Sequence, residues 1–366
     1  MTLQSDFEED DLLAIDGSHG EGGGQLLRTS LSLAAVTGQA VQLEKIRANR
    51  SNPGLAPQHL TAVWALAEIC RAQVKGDHLR STEVTFEPTT RPQSGEYSFD
   101  VAEAAEGGSA GSVTLLAQAL LPALALAEGT SQLQLNGGTH VRWSPSFHYL
   151  DSVYLPQLKA LGMDVEAELD SWGFYPAGGG RIQMEVVPAP PRSWQPLIIE
   201  SRGALTAVEG AAVASNLPAH IAQRMTDRAR NLLAELDVPY RVEPARISAQ
   251  GKGAGIFLTA VYESLCAGFT GHGELGKPAE AVAEEACQRL LTHHRTGAAV
   301  DVHLADQLLL PLSMAAGVSR FETSEISSHF QTNVWVLRQL LPDLKIQWNE
   351  VHAGSFMVEV HGVGIV

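Results

Sequence analysis

Cysteine is scarce in this chain. Three residues, Cys70, Cys266 and Cys287, are odd in number and too scattered for a paired framework or a metal motif. That excludes a disulfide-stapled scaffold and predicts buried thiols in a reducing compartment. Positive charge is short as well, with 25 basic residues against 41 acidic ones and a formal charge of -16. Indiscriminate nucleic-acid binding is thereby disfavoured. Because charges more than roughly 8 Å apart are largely screened, a local basic pocket can still hold one anionic group. Part of the acidic excess sits in the leader Asp6-Phe7-Glu8-Glu9-Asp10-Asp11, read as a mobile tail. No basic region followed by an apolar one opens the chain, and the longest apolar stretch, Val113 to Ala127, is interrupted by Gln118 and Pro122. It is too short for a membrane span, so a soluble, cytoplasmic protein is expected.

What is present is a globular composition, 45% hydrophobic and 18% charged, over 366 residues. One core stops growing at roughly 250 to 300 residues, so two domains are expected. The most informative stretch runs from Asp16 to Gly38. An apolar run, Leu12-Leu13-Ala14-Ile15, gives way to Asp16-Gly17-Ser18-His19-Gly20-Glu21-Gly22-Gly23-Gly24, and then Leu27, Leu31, Ala34 and Ala35 recur at helical spacing before Gly38. A glycine loop between strand and helix aims backbone N-H groups and a helix dipole at an anion. The loop has neither a Gly-Lys-Ser/Thr ending nor a G-x-G-x-x-G register. It holds instead one carboxylate, Glu21, followed by Gln25 and Arg28. Arg28 can fork onto phosphate oxygens, and Glu21 suits the magnesium that accompanies a triphosphate. A tight turn with a solvated glutamate fits the same glycines.

A unit of helix, strand, glycine turn and strand recurs three times along the chain. Its copies begin at the helix around His59 to Ile69, at Phe147 to Leu161, and at Thr332, where Val334, Leu337 and Leu341 share a face. Three diverged α/β modules around a pseudo-threefold axis are expected. Pro188-Ala189-Pro190-Pro191-Arg192 reads as a domain exit and Gly276-Lys277-Pro278 as the return. The division expected is therefore 1–186 and 278–366 for a large domain, and 187–277 for a smaller inserted α/β domain whose strands include Leu197 to Ser201 and Ile256 to Val261. Gly271 to Lys277 matches the opening of a P-loop, but Pro278 replaces the hydroxyl residue that would hold magnesium.

Three further clusters share the polar character of the glycine loop. Arg47 and Arg50, in Arg47-Ala48-Asn49-Arg50-Ser51-Asn52-Pro53-Gly54, precede Gln58-His59 at a helix start and suit a terminal phosphate. A solvated surface pair is the plainer alternative. In His303-Leu304-Ala305-Asp306-Gln307 an acid leads an apolar helix, where Asp306 also reads as an N-cap. The third is Ser327-Ser328-His329-Phe330-Gln331-Thr332-Asn333. The His329 imidazole, with an ordinary pKa near 6.5, is available as a nucleophile at cellular pH, although a histidine near a helix start is commonly structural.

Taken together, Asp16 to Gln25, Ile46 to Arg50, Pro53-Gly54-Leu55, Gln58-His59-Leu60, Gly173 to Gly180, Leu304 to Gln307 and Ser328 to Asn333 resemble the RNA 3′-terminal phosphate cyclases, in order and spacing, from about Ile15 onward. The resemblance implies three repeated α/β modules with a smaller domain inserted between the second and third. It also implies ATP as co-substrate, magnesium or manganese as metal, and an RNA with a 3′-phosphate end as partner. His329 would carry AMP and pass it to the RNA phosphate, after which the 2′-hydroxyl closes a 2′,3′-cyclic phosphate, a step that DNA cannot perform. Glu21 matches the metal ligand. Gln118, Pro145, His303, Leu304, Ala305, Asp306 and Gln307 match the nucleotide-binding set, and Gln25, Arg28, Arg47, Arg50, Gln58 and His59 the group that holds phosphates or the RNA end. Three departures stand out: His303 replaces a tyrosine over the adenine, Pro57 an arginine, and His140 an acidic residue. Rival expectations are a non-catalytic relative acting in ribosome assembly and an enolpyruvyl transferase, also built from repeated α/β units.

Overall fold

The computed structural model describes residues 12–105, 108–189 and 193–365. The acidic leader and the prolines at 190 and 191 lie outside them. The chain folds into four four-stranded sheets, three of which repeat one strand order. In the first, strands Leu13–Asp16 and Val41–Glu44 pair in parallel across the helix Gly24–Thr37. The helix Pro57–Cys70 follows, and strands Gln73–Lys75 and Val84–Glu87 return antiparallel, Val84–Glu87 lying beside Val41–Glu44. The second sheet does the same with Glu96–Asp100 and Ser131–Gly137, then Asp164–Ser171 and Gly180–Val187. The third is built from Ile198–Ile199, Ala316–Thr323, Lys345–His352 and Ser355–Val363.

The repeated unit is thus longer than periodicity suggested, a βαβ crossover followed by helix and hairpin. Parallel neighbours need such a crossover because a tight turn cannot join them. In the first module Gly38 ends the crossover helix at φ 78, with its N-H on the Ala34 carbonyl. One contiguous core of buried Leu, Ile, Val, Ala and Phe side chains joins the three modules.

The insertion differs in extent from the expected 187–277. Ile198–Ile199, read as part of the inserted domain, pairs with Arg320–Phe321 and completes the third main sheet. The inserted sheet consists of Leu205–Ser215, Tyr240–Ile247, Gly253–Tyr262 and Cys266–His272. At its far end the helix Ala279–Thr296, expected on the main body, packs its Val282, Ala286 and Leu290 face with Ala222, Met225 and Ala229 of the helix His220–Leu233 in a separate core. A turn does fall beside Gly276, but the helix beyond it, expected on the main body, packs its apolar face on the nearer sheet. The three cysteines are free. Among the described residues no helix is long and apolar enough to cross a membrane.

Candidate active site

The glycine loop is held by a helix from the other end of the chain. In the helix Ser328–Leu340, Ser327 caps the N-terminus by accepting the Phe330 N-H at 3.1 Å, an interaction worth about 1 kcal/mol. His329, Thr332 and Asn333 stand at i, i+3 and i+4, so one face presents all three. Thr332 Oγ1 lies 3.4 Å from the Glu21 backbone N-H. Gly20 sits at φ 58, where an added Cβ would strike that same hydroxyl. Only glycine suits both the left-handed backbone and the close approach. His19 stacks on Trp335 with ring centroids 3.9 Å apart. Deeper, the Thr29 hydroxyl donates to Asn333 Oδ1 at 2.9 Å, and Asn333 Nδ2 donates to the Asp306 carbonyl at 2.9 Å.

These contacts bring His329 against the loop. Its Nδ1 lies 2.8 Å from Gln25 Oε1 and 2.6 Å from Glu21 Oε2. The two approaches are not equivalent. The direction of the ring N-H suits Gln25, while the buried Glu21 Oε2 is left without a hydrogen-bond donor. Gln25 Nε2 in turn donates to Asp306 Oδ2 at 3.2 Å. Partial burial lowers the pKa of His329, the neighbouring Glu21 opposing that shift, and so favours a neutral ring at neutral pH. Burial, first among several causes, raises Asp306 from 3.8 to about 7.

Positive charge collects here in an otherwise acidic chain. Arg28 forms no hydrogen bond or ion pair among the described residues; burial lowers its pKa to about 10, partly offset by Asp306, and leaves it protonated at neutral pH. Arg50 approaches Glu21 at 3.9 Å. Arg47 donates to the Gly54 carbonyl at 2.8 Å, and burial followed by Arg50 lowers its pKa. His59 is buried under the loop, where a Cβ on Gly24 would strike its ring. Its Nδ1 accepts the Ala56 N-H at 3.2 Å, and burial with Arg28 and Arg47 pushes its pKa well down, so it supports the site as a neutral ring. Gln58 Oε1 accepts the Ser112 N-H at 2.9 Å, tying the first module to the second.

The residues expected around the nucleotide form an adjoining group. Gln118 Nε2 donates to Gln307 Oε1 at 2.7 Å, and the Thr114 hydroxyl donates to the Pro145 carbonyl at 2.7 Å. His303 is exposed at the start of the helix Val302–Gln307, with Leu304 and Ala305 buried behind it. The N-cap of that helix is Asp301, which accepts the His303 and Leu304 N-H groups and the Tyr149 hydroxyl at 2.9 Å. Asp306, which also read as a cap, is instead an interior carboxylate. Asp301 went unremarked because a cap is recognised only once the first helical turn is known.

Two of the sequence departures have a structural setting. Pro57 occupies the first turn of its helix, where a missing N-H costs nothing. His140 is buried, with Nε2 2.9 Å from His148 Nδ1 and its ring stacked on Trp172 at 4.1 Å. A cavity of about 350 Å³ lined by Ser109, Asn136, Gly179, Arg181 and Gln250 contains none of the expected site residues.

A divalent cation fits Glu21. Its buried, donorless oxygen is a hard anionic ligand, and magnesium commonly takes one or two carboxylates and completes its shell with phosphates and water. No cluster of three or more His, Cys, Asp or Glu set to hold a metal occurs among the described residues.

Repeated crossover modules, with a glycine-loop carboxylate and a histidine brought together from opposite ends of the chain, define an α/β protein with one shared polar site. The family profile described as RNA 3′-terminal phosphate cyclase matches residues 19–346, and the chain belongs to that family. It is 50% identical to the RNA 3′-terminal phosphate cyclase of Methylococcus capsulatus over 352 residues, 96% of this chain and 97% of the relative. A Nostoc punctiforme protein of the same name is 50% identical over 90% of this chain and 94% of its own. The one from Pyrococcus furiosus is 43% identical over 90% and 93%.

Proposed function

We propose that this protein converts an RNA 3′-phosphate end to a 2′,3′-cyclic phosphate at the expense of ATP, with His329 as nucleophile. The observation that carries the reading is the approach of the His329 imidazole to Glu21 of the glycine loop, 2.6 Å away. With Nδ1 turned inward, Nε2 carries the lone pair that attacks the α-phosphorus of ATP. An N-P bond forms and the bond to pyrophosphate breaks. An oxygen of the RNA 3′-phosphate then displaces the imidazole from that phosphorus, giving a phosphoanhydride, and the 2′-hydroxyl attacks the activated end, losing its proton as AMP leaves.

Arg28, Arg47 and Arg50 neutralise phosphate charge at the loop, the helix Gly24–Thr37 adds its N-terminal dipole, and His303, Pro145, Gln118 and Gln307 surround the base. When bound at Glu21, magnesium or manganese supplies Lewis-acid stabilisation of triphosphate charge. The free thiols agree with a cytoplasmic setting.

The test uses ATP labelled at the α-phosphate, with magnesium and no RNA. Wild type should yield an acid-labile protein adduct and His329→Ala none; label retained by that variant would move the nucleophile elsewhere. Glu21→Ala should label more slowly at limiting magnesium, and an undiminished rate would remove Glu21 as the metal ligand.

A further inference from the structure

Gln25 is expected from sequence to hold a phosphate, yet both ends of its carboxamide are already engaged inside the protein. Oε1 faces His329 Nδ1 at 2.8 Å, and Nε2 donates to Asp306 Oδ2 at 3.2 Å. Above its raised pKa of about 7 Asp306 is ionised and only accepts hydrogen bonds, so it turns the NH2 end of the amide toward itself and the oxygen toward the imidazole. An amide oxygen also only accepts. The ring must therefore carry its proton on Nδ1, which leaves the lone pair on Nε2.

Glu21 Oε2 lies nearer to Nδ1, at 2.6 Å, but has no hydrogen-bond donor. The directional bond belongs to Gln25, and the glutamate oxygen remains available to a cation. The backbone of Asp306 is itself fixed by Asn333 Nδ2, four residues from His329 on the same helix. The carboxylate, the amide and the imidazole thus share one frame.

We propose that Gln25 is a positioning residue that relays the acceptor character of Asp306 to His329, holding the imidazole as the Nδ1-H tautomer with Nε2 free to react, while Glu21 is left to the metal. The inference deepens the proposed function and rests on its assignment of His329 as nucleophile. A phosphate-binding Gln25 is the reading it replaces.

The first test does not depend on catalysis. In ligand-free protein labelled with ¹⁵N-histidine at about pH 8, the His329 ring signals are identified by their loss in His329→Asn. Wild type and Glu21→Ala should both show the Nδ1-H tautomer, and Glu21→Ala/Gln25→Met should lose it. Loss in Glu21→Ala alone would give the orienting role to Glu21; persistence in the double variant would remove Gln25 from the relay. Either result overturns the proposal.

The second test separates orientation from binding. Gln25→Met should lower kcat for adduct formation about tenfold or more with KM for ATP little changed, and Asp306→Asn, whose amide can face either way, should lower it in the same sense. A raised KM with unchanged kcat would return Gln25 to phosphate binding. Should adduct form without His329, the proposed function fails while the tautomer measurement keeps its meaning, so the two failures are told apart.

Discussion

The chain has two glycine-rich segments that look alike on paper, Gly17 to Gly24 and Gly271 to Lys277, and the structure uses them in opposite ways. Both run into a helix, but the first faces the helix Ser328–Leu340 and, among the described residues, leaves Arg28 without a hydrogen bond. In the second, Gly271 lies in a strand opposite Ile256, and Lys277 is tied to Glu285 at 2.5 Å and to the His272 carbonyl at 3.2 Å. Around it Arg142 meets Glu274, Arg224 meets Glu280 and Arg228 meets Glu284. A cation already matched to a carboxylate has little left for a phosphate, whereas a guanidinium held without a hydrogen bond among the described residues is prepared for it. Glycine content does not separate the two; partner supply does.

The largest expected effect tests how far burial governs the first site. With Asp306 raised from 3.8 to about 7, the folded state disfavours its ionised form. Its contribution to stability is fully present below about pH 4 and is lost as pH rises through 7. Asp306→Asn should therefore gain stability relative to wild type between those values, by on the order of 4 kcal/mol at most, and level off above. Denaturant midpoints across that range measure it, and a difference independent of pH would show that the carboxylate is not destabilised by burial.

Next in size is Arg28→Ala. A charge-assisted phosphate contact is worth about 1.5–3 kcal/mol, so KM for ATP or for the RNA end should rise roughly ten- to a hundredfold with the fold intact. Unchanged values for both would erase the contrast with Lys277.

Gly20→Ala strains a left-handed backbone and displaces Thr332, at about 1–3 kcal/mol. Adduct formation should slow together with a lower melting temperature. Normal values of both would mean that the loop yields without cost.

The smallest effect belongs to the second segment. Lys277→Ala breaks a partly exposed ion pair and should cost about 1 kcal/mol or less. Adduct formation should stay at the wild-type rate, and a clear loss there would place nucleotide chemistry at a lysine that the structure pairs with Glu285.

Much of the local architecture was legible in residue order. The switch to glycine after Ile15, the helical spacing of Leu27, Leu31 and Ala34 and the stop at Gly38 all act within a few residues, where backbone sterics and capping dominate; the last helix, read from Thr332, begins four residues earlier at Ser328. The repeated α/β units could be seen for the same reason. The insertion's edges could not: Ile198–Ile199 is apolar and extended whichever sheet it joins, and its partner Arg320–Phe321 lies beyond the entire inserted sheet. Likewise the Val282, Ala286 and Leu290 face shows that the helix is half-buried but not on which core.

For the site, sequence by itself supplied the reactive groups, because an imidazole, a carboxylate among glycines and guanidinium groups have their chemistry wherever they stand. Which of them meet was decided only by tertiary packing. Spacing along the chain carries no information on the 2.8 Å contact between His329 and Gln25, separated by 304 positions, or on the burial that makes Asp306 an interior acceptor while Asp301 caps the helix. Local patterns follow from short-range sterics, whereas orientation, desolvation and partner choice are properties of the assembled core.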